Sequence, residues 1–420
     1  MTMLNAAGST VPVAPNTITD ATPPEAPSAP VAPSPKRKSP LILVGIVLVI
    51  AGLIAGVAYA VRHTAKPQAT IRPYFTYTAQ DTAKLRGLKS SEVMTARDIQ
   101  TWQDKAYDLV EQHATIDVDS SKVYAYLAVA QMDAAALSYQ AHHAYNGSVA
   151  VVSKDVLCQF YNDSCSDLLA AGSDDYSRTL SALVLAKITE RMAADKAQTK
   201  PYTLKTGPGY WTGPAPQIGL SAGSFKPWLV KSSSQFRAAP PPPAGSAEQI
   251  QQLATVKQTL ASATNEQRAI VVKWAGGPGT RTPPGIWLTL ADDYMQQKQT
   301  SFDTYIETRA LVTMSMADAV SSVFDSKYTY QYKRPNMFDT SIVTIMPTPN
   351  HPSYPAGHAT ISWAAATVLT HYLPANQQEW ERLAKEATDS RTIGGIHFPM
   401  DNAAGTTLGK NVGKEVIKNW

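Results

Sequence analysis

The chain has 420 residues, room for one large domain or two smaller ones, and carries a net charge of +4 with only 17% charged residues. That balance supplies no basic stripe able to neutralise a run of phosphates, so nucleic-acid binding is set aside. Its two cysteines, Cys158 and Cys165, lie close together in VLCQFYNDSCSD, with no further Cys or paired His to complete a zinc site.

Met1 to Pro35 is rich in Pro, Ala, Ser and Thr and nearly free of charge and aromatics, a composition that buries too little surface to offset chain entropy. A disordered tail over 1–40 is expected. Lys36-Arg37-Lys38 then precedes Leu41 to Val61, an unbroken apolar run long enough as a helix to cross the roughly 30 Å hydrocarbon core. A single transmembrane helix over 41–61 is expected. Three cations before it outweigh Arg62 and Lys66 beyond it, which places the tail in the cytoplasm and 62–420 outside. The rival reading is a cleaved signal peptide ending near Ala58-Tyr59-Ala60, against which the length of the apolar run argues. Outside the cytoplasm Cys158 and Cys165 are candidates for a disulfide, with two unpaired thiols as the alternative.

Beyond the anchor, apolar residues recur at helical spacing over Asp98 to His113, Ser121 to Tyr145, Ser177 to Lys196, Ser246 to Leu260, Ser301 to Phe324, Thr360 to Tyr372 and Asn402 to Ile417. Long alternating patterns are absent, so the expected fold class is all-α, a helical bundle around a buried polar site. Gly207 to Trp228 and Pro240 to Pro243 interrupt the helices as an irregular segment that wraps the bundle or shapes its mouth.

Three short segments near the C-terminus are dense in chemistry. KYTYQYKRP separates Lys327 from Arg334 by six residues and ends on Pro335; by itself it reads more readily as a solvated basic face than as a site. HPSYPAGHAT runs through Gly357 and His358 into an apolar helix, where free amides and the helix dipole favour an anion. SRTIGGIHFPMD places Arg391 and His397 about a glycine turn, with Asp401 four residues beyond to fix the imidazole tautomer, to cap the last helix, or both. A tetrahedral oxyanion needs several permanent cations, which Lys327, Arg334 and Arg391 provide. Its turnover needs a nucleophile or ligand and an acid or base, which His397 and His358 provide.

In that order the motifs resemble the phosphatidic acid phosphatase type 2 and vanadium haloperoxidase superfamily, whose pattern is K-x6-R-P, P-S-G-H and S-R-x3-G-x-H-x3-D. Lys327, Arg334 and Pro335, then Pro355, Gly357 and His358, then Ser390, Arg391, Gly395, His397 and Asp401 satisfy it. Ala356 departs, standing where the family usually has Ser. The resemblance is sharpest from Tyr328 to Gly413 and extends more weakly upstream through WAGGPGTRTPPGIW. It implies that Lys327, Arg334, Arg391 and the Gly357 amide bind the oxyanion, that His397 is the covalent partner of phosphorus or vanadium, and that His358 is the general acid or base. The long helical region before the motifs, YPAGHAT and GIHF are similar to the soluble bacterial haloperoxidase-like members. That branch implies vanadate as cofactor, with hydrogen peroxide and halide as substrates. The alternative is a phosphatase without cofactor that hydrolyses phosphomonoesters through a phosphohistidine, and a third reading is a non-catalytic surface protein that binds an anion.

Overall fold

Short polar residues start the helices. The side chains of Thr78, Thr95, Asp174, Ser246, Thr264 and Ser301 each accept the backbone amide three residues on, satisfying a donor that the first helical turn leaves orphaned. The structure, a computed structural model, describes residues 71–168 and 174–420. The tail expected over 1–40 and the transmembrane helix expected over 41–61 lie outside them. Among the described residues no helix is long and apolar enough to cross a membrane.

Those residues form α1 (Ala79–Arg86), α2 (Ala96–Gln112), α3 (Asp117–His142), α4 (Ala150–Phe160), α5 (Asp175–Gln198), α6 (Ala247–Ala261) and α7 (Asn265–Lys273), followed by α8 (Thr282–Gln297), α9 (Phe302–Tyr330), α10 (Pro335–Phe338), α11 (Gly357–Tyr372), α12 (Gln377–Ile393) and α13 (Pro399–Asn419). Extended pairing among the described residues is confined to two isolated bridges, so the expected all-α class holds. Each of the seven stretches with helical periodicity lies on a helix. Helices α1, α4, α7, α8, α10 and α12 fall outside those stretches.

Helix α9 is buried along nearly its whole length and packs on α3, α11 and α13. A helix covered on all sides has no polar face to display, which is why its sequence, rich in Ala, Ser, Thr and Met, is only weakly amphipathic. Helix α13 approaches α11 through Gly405, Gly409 and Gly413. A Cβ at Gly409 would meet the Thr360 carbonyl oxygen at 2.3 Å, and one at Gly405 would meet the Ala356 oxygen at 2.6 Å. This close crossing sets the ends of α11 and α13, which carry His358 and Asp401, against each other.

The irregular segment wraps α9. The Trp211 amide donates to the Gln331 carbonyl at 2.6 Å, the Tyr328 hydroxyl donates to the Ile218 carbonyl at 2.6 Å, and the Asn350 amide donates to the Pro214 and Pro216 carbonyls. Farther along, the amides of Trp228, Leu229 and Val230 all donate to the buried Asp318 carboxylate. Asp133 of α3 likewise accepts the amides of Tyr74 and Phe75 and the Tyr77 hydroxyl. Cys158 and Cys165 are joined as a disulfide, closing the turn Asn162–Asp167 against the end of α4.

Candidate active site

Gln331, with φ of 53°, ends α9 and returns its amide to the Lys327 carbonyl. Lys327 thereby occupies the last turn of a buried helix, and three residues beyond Gln331 the chain presents Arg334 as the N-cap of α10, with Pro335 fixing the first helical position. At the far side, α12 ends on Gly394, and Gly395 reverses the chain at φ of 77°, a conformation other residues resist. The reversal carries the chain from Arg391 to His397, and Asp401 follows in the first turn of α13.

All three cations are completely buried, and His397 is 2% exposed. Lys327 donates to the carbonyls of Pro352 (2.8 Å) and Ser353 (2.7 Å), using two of its three ammonium protons. Arg334 donates to the carbonyls of His351 and Ile396 and to His397 Nε2 at 2.9 Å. Arg391 engages Ser390, the Met346 sulfur and the Val271 carbonyl. A Cβ at Gly357 would lie 4.0 Å from the Lys327 side chain, which places the start of α11 beside the ammonium.

Hydrogen-bond direction assigns the imidazole tautomers. A guanidinium only donates, so His397 Nε2 must present its lone pair to Arg334, and the ring proton belongs on Nδ1, which is 2.8 Å from Asp401 Oδ2. The same carboxylate oxygen accepts the Ser353 hydroxyl and the Phe398 amide, so Asp401 orients the ring and caps α13 together. For His358 the sense is opposite. Its Nε2 faces the Trp274 carbonyl at 2.8 Å, so Nε2 carries the proton and Nδ1 the lone pair.

Burial, then Arg334, holds the Lys327 ammonium well below the ordinary lysine range, with Asp401 opposing. Burial lowers Arg334 to about 10 and, aided by Arg334, lowers Arg391 to about 9. His358 and His397 are held well below the usual imidazole value, first by burial and then by these cations. Burial raises Asp401 to about 6 despite its donors. Every shift opposes the charged form, and the cations outnumber the carboxylates beside them. A di- or trianion reverses that imbalance.

Beside these groups lies a cavity of about 220 Å³ whose wall includes Asp117, Ile218, His351, Gly357, His358 and His397. The seven residues expected at the site, Lys327, Arg334, Gly357, His358, Arg391, His397 and Asp401, therefore converge on one place. His351 and Ser353 were passed over although both stand within HPSYPAGHAT; His351 Nδ1 accepts from Arg334 at 3.1 Å. Asp117 lies far upstream and no sequence signal marked it. Ala275 and Gly276 line the cavity from WAGGPGTRTPPGIW, the weakly similar upstream stretch.

Residues 307–418 match the PAP2 superfamily. That span holds all three motifs, from Lys327 to Asp401, and the superfamily's members are enzymes. Likeness to solved structures covers more of the chain: a bacterial vanadium-dependent iodoperoxidase aligns with 79% of this chain and 98% of its own, at a TM-score of 0.65 and 19% identity. Holo and apo forms of a bacterial vanadium-dependent chloroperoxidase align with 73% and 80% of this chain and 92% and 97% of their own, at TM-scores of 0.58 and 0.55 and 11% identity each. At these identities the likeness establishes the fold. No curated protein matches the chain.

Proposed function

We propose that the chain is a vanadate-dependent, haloperoxidase-like enzyme that uses hydrogen peroxide to oxidise a halide. The observation that carries this reading is the buried triad of Lys327, Arg334 and Arg391 around a histidine whose Nδ1 proton is fixed on Asp401 and whose Nε2 bears a lone pair. Such a set suits a tetrahedral oxyanion bound to nitrogen: Lys327, Arg334, Arg391 and the Gly357 amide would hold the oxygens of vanadate, and His397 Nε2 its metal. Similarity of fold to haloperoxidases over most of the chain supports this branch.

Bound vanadate supplies Lewis-acid activation of peroxide. The chain's own part is to hold and move protons. His358, neutral in this environment, offers Nδ1 as a base while the Trp274 carbonyl fixes its ring. Asp401 keeps the His397 lone pair on Nε2, and Phe324, Ile218 and Ile396 make part of the cavity wall apolar, strengthening the fixed charges. The apolar run 41–61 supports anchorage of the enzyme with its N-terminus in the cytoplasm, which protease access to the C-terminal domain on intact cells tests.

The deciding experiment loads the purified protein with vanadate and follows bromide and iodide oxidation by peroxide, beside hydrolysis of p-nitrophenyl phosphate without vanadate. Vanadate-dependent oxidation that disappears in His397→Ala, with its folding intact, is expected. Ester hydrolysis inhibited by vanadate, with no oxidation, would move the chain to the phosphatase reading. Anion binding without either activity would leave a non-catalytic anion site.

A further inference from the structure

Asp117 is the one carboxylate among the described residues that line the cavity. It begins α3, on a helix that contributes nothing to the three motifs, and its Oδ1 accepts the Val118 amide at 3.0 Å. The chain just before it is clasped by the disulfide-closed turn. The Thr115 hydroxyl lies 3.0 Å from the Tyr161 hydroxyl, the His113 ring packs on Tyr161 at 4.8 Å, and His113 Nε2 is 2.9 Å from the Ser164 hydroxyl. Asp117 is thus held in place by contacts that have no part in binding the anion.

The cavity is consequently bipolar. His351, His358 and His397, backed by Lys327 and the two arginines, form one side, and a carboxylate forms another. Lys327 from α9 and Asp119 from α3 are the charges acting on Asp117; burial raises its pKa more than Lys327 lowers it. An ammonium brought beside this carboxylate would relieve the desolvation of both.

We propose that Asp117 is a specificity-determining residue, drawing in ligands whose end remote from the oxyanion carries an ammonium or another strong hydrogen-bond donor. This rests on the oxyanion-site reading above. The probes are inorganic phosphate, ethyl phosphate and O-phosphoethanolamine, which differ in the remote group, titrated calorimetrically into the purified full chain at neutral pH. Wild type is expected to prefer O-phosphoethanolamine to ethyl phosphate by about tenfold, a range set by one partly screened charge pair. In Asp117→Asn that preference should collapse towards unity while inorganic phosphate tightens about threefold; Asp117→Glu should keep the preference.

If Asp117→Asn fails to fold, Asp117→Ser serves the same comparison. Unchanged preference in a variant that still binds phosphate would overturn the proposal and leave the oxyanion site standing. Failure of wild type to bind phosphate or vanadate at all would remove the oxyanion reading and this inference with it.

Discussion

Ala356 is the N-cap of α11, yet its methyl group caps nothing; only its backbone acts, the amide donating to the Asp401 carbonyl at 2.9 Å and the carbonyl accepting from Thr360. A serine at this point has two uses open to it, and they are separable. Donated to a bound oxyanion, the hydroxyl contributes about 1.5–3 kcal/mol, so Ala356→Ser should tighten phosphate or vanadate by roughly tenfold or more in calorimetric titration. Turned instead to the Ala359 amide, it would raise the melting temperature and leave affinity unchanged. The second outcome would show that the departure at 356 weakens a helix cap and not the anion site. His397 shows why the motif was legible at this scale: Asp401 stands four residues beyond it, and the structure gives a 2.8 Å contact from the bend before α13 to that helix's first turn. Asp117 shows the limit, because proximity created by a helix end more than two hundred residues upstream leaves no trace in local spacing.

Between helices, the crossing of α11 and α13 fixes the distance from His358 to the Asp401–His397 pair. In Gly409→Ala the new methyl would gain up to about 1 kcal/mol of helix propensity but meet the Thr360 carbonyl oxygen at 2.3 Å, which backbone cannot yield cheaply. A net loss of roughly 1–3 kcal/mol in urea unfolding is expected, with weaker phosphate binding from the displaced α11 N-terminus. Stability at the wild-type level would mean that the crossing is looser than this packing implies. Elements with strong apolar periodicity were readable in advance. Helix α12 was not: its buried stripe of Trp380, Leu383, Ala384 and Ala387 is short and mostly alanine, and it is masked by the Glu, Lys, Arg and Gln that crowd the exposed face, where Arg382 pairs with Glu379 and Glu386. Helix α8 escaped because Pro283 and Pro284 look like a break, although prolines fit a first helical turn, where no amide donor is needed.

Over the molecule as a whole, two buried carboxylates tie loop segments to the central helices: Asp133 holds Tyr74 to Tyr77, and Asp318 holds Trp228 to Val230. Burial raises Asp133 to about 7 and Asp318 to about 6, against backbone amides that favour the ionised forms. A carboxyl whose folded pKa is raised takes up protons on folding, so its stabilising contribution is complete below the unfolded value near 4 and is lost as pH rises through the folded value. An amide at position 133 cannot titrate, and its NH2 would face donors. Asp133→Asn should therefore destabilise the fold, and the difference from wild type should widen by up to a few kcal/mol between about pH 7 and about pH 4, in urea melts. A gap independent of pH would show that Asp133 does not change its protonation over this range.

The cavity has a further consequence for how this protein can be divided. The matched segment 307–418 contains Lys327, Arg334, Arg391, His358 and His397, but Asp117, Ile218, Ala275 and Gly276, which complete the cavity, come from three regions before it. The reagents are thus contiguous and the vessel is dispersed. Chemistry of this kind can be inherited as a short string of residues, whereas the choice of what enters is written across the rest of the chain, free to drift without touching the signature.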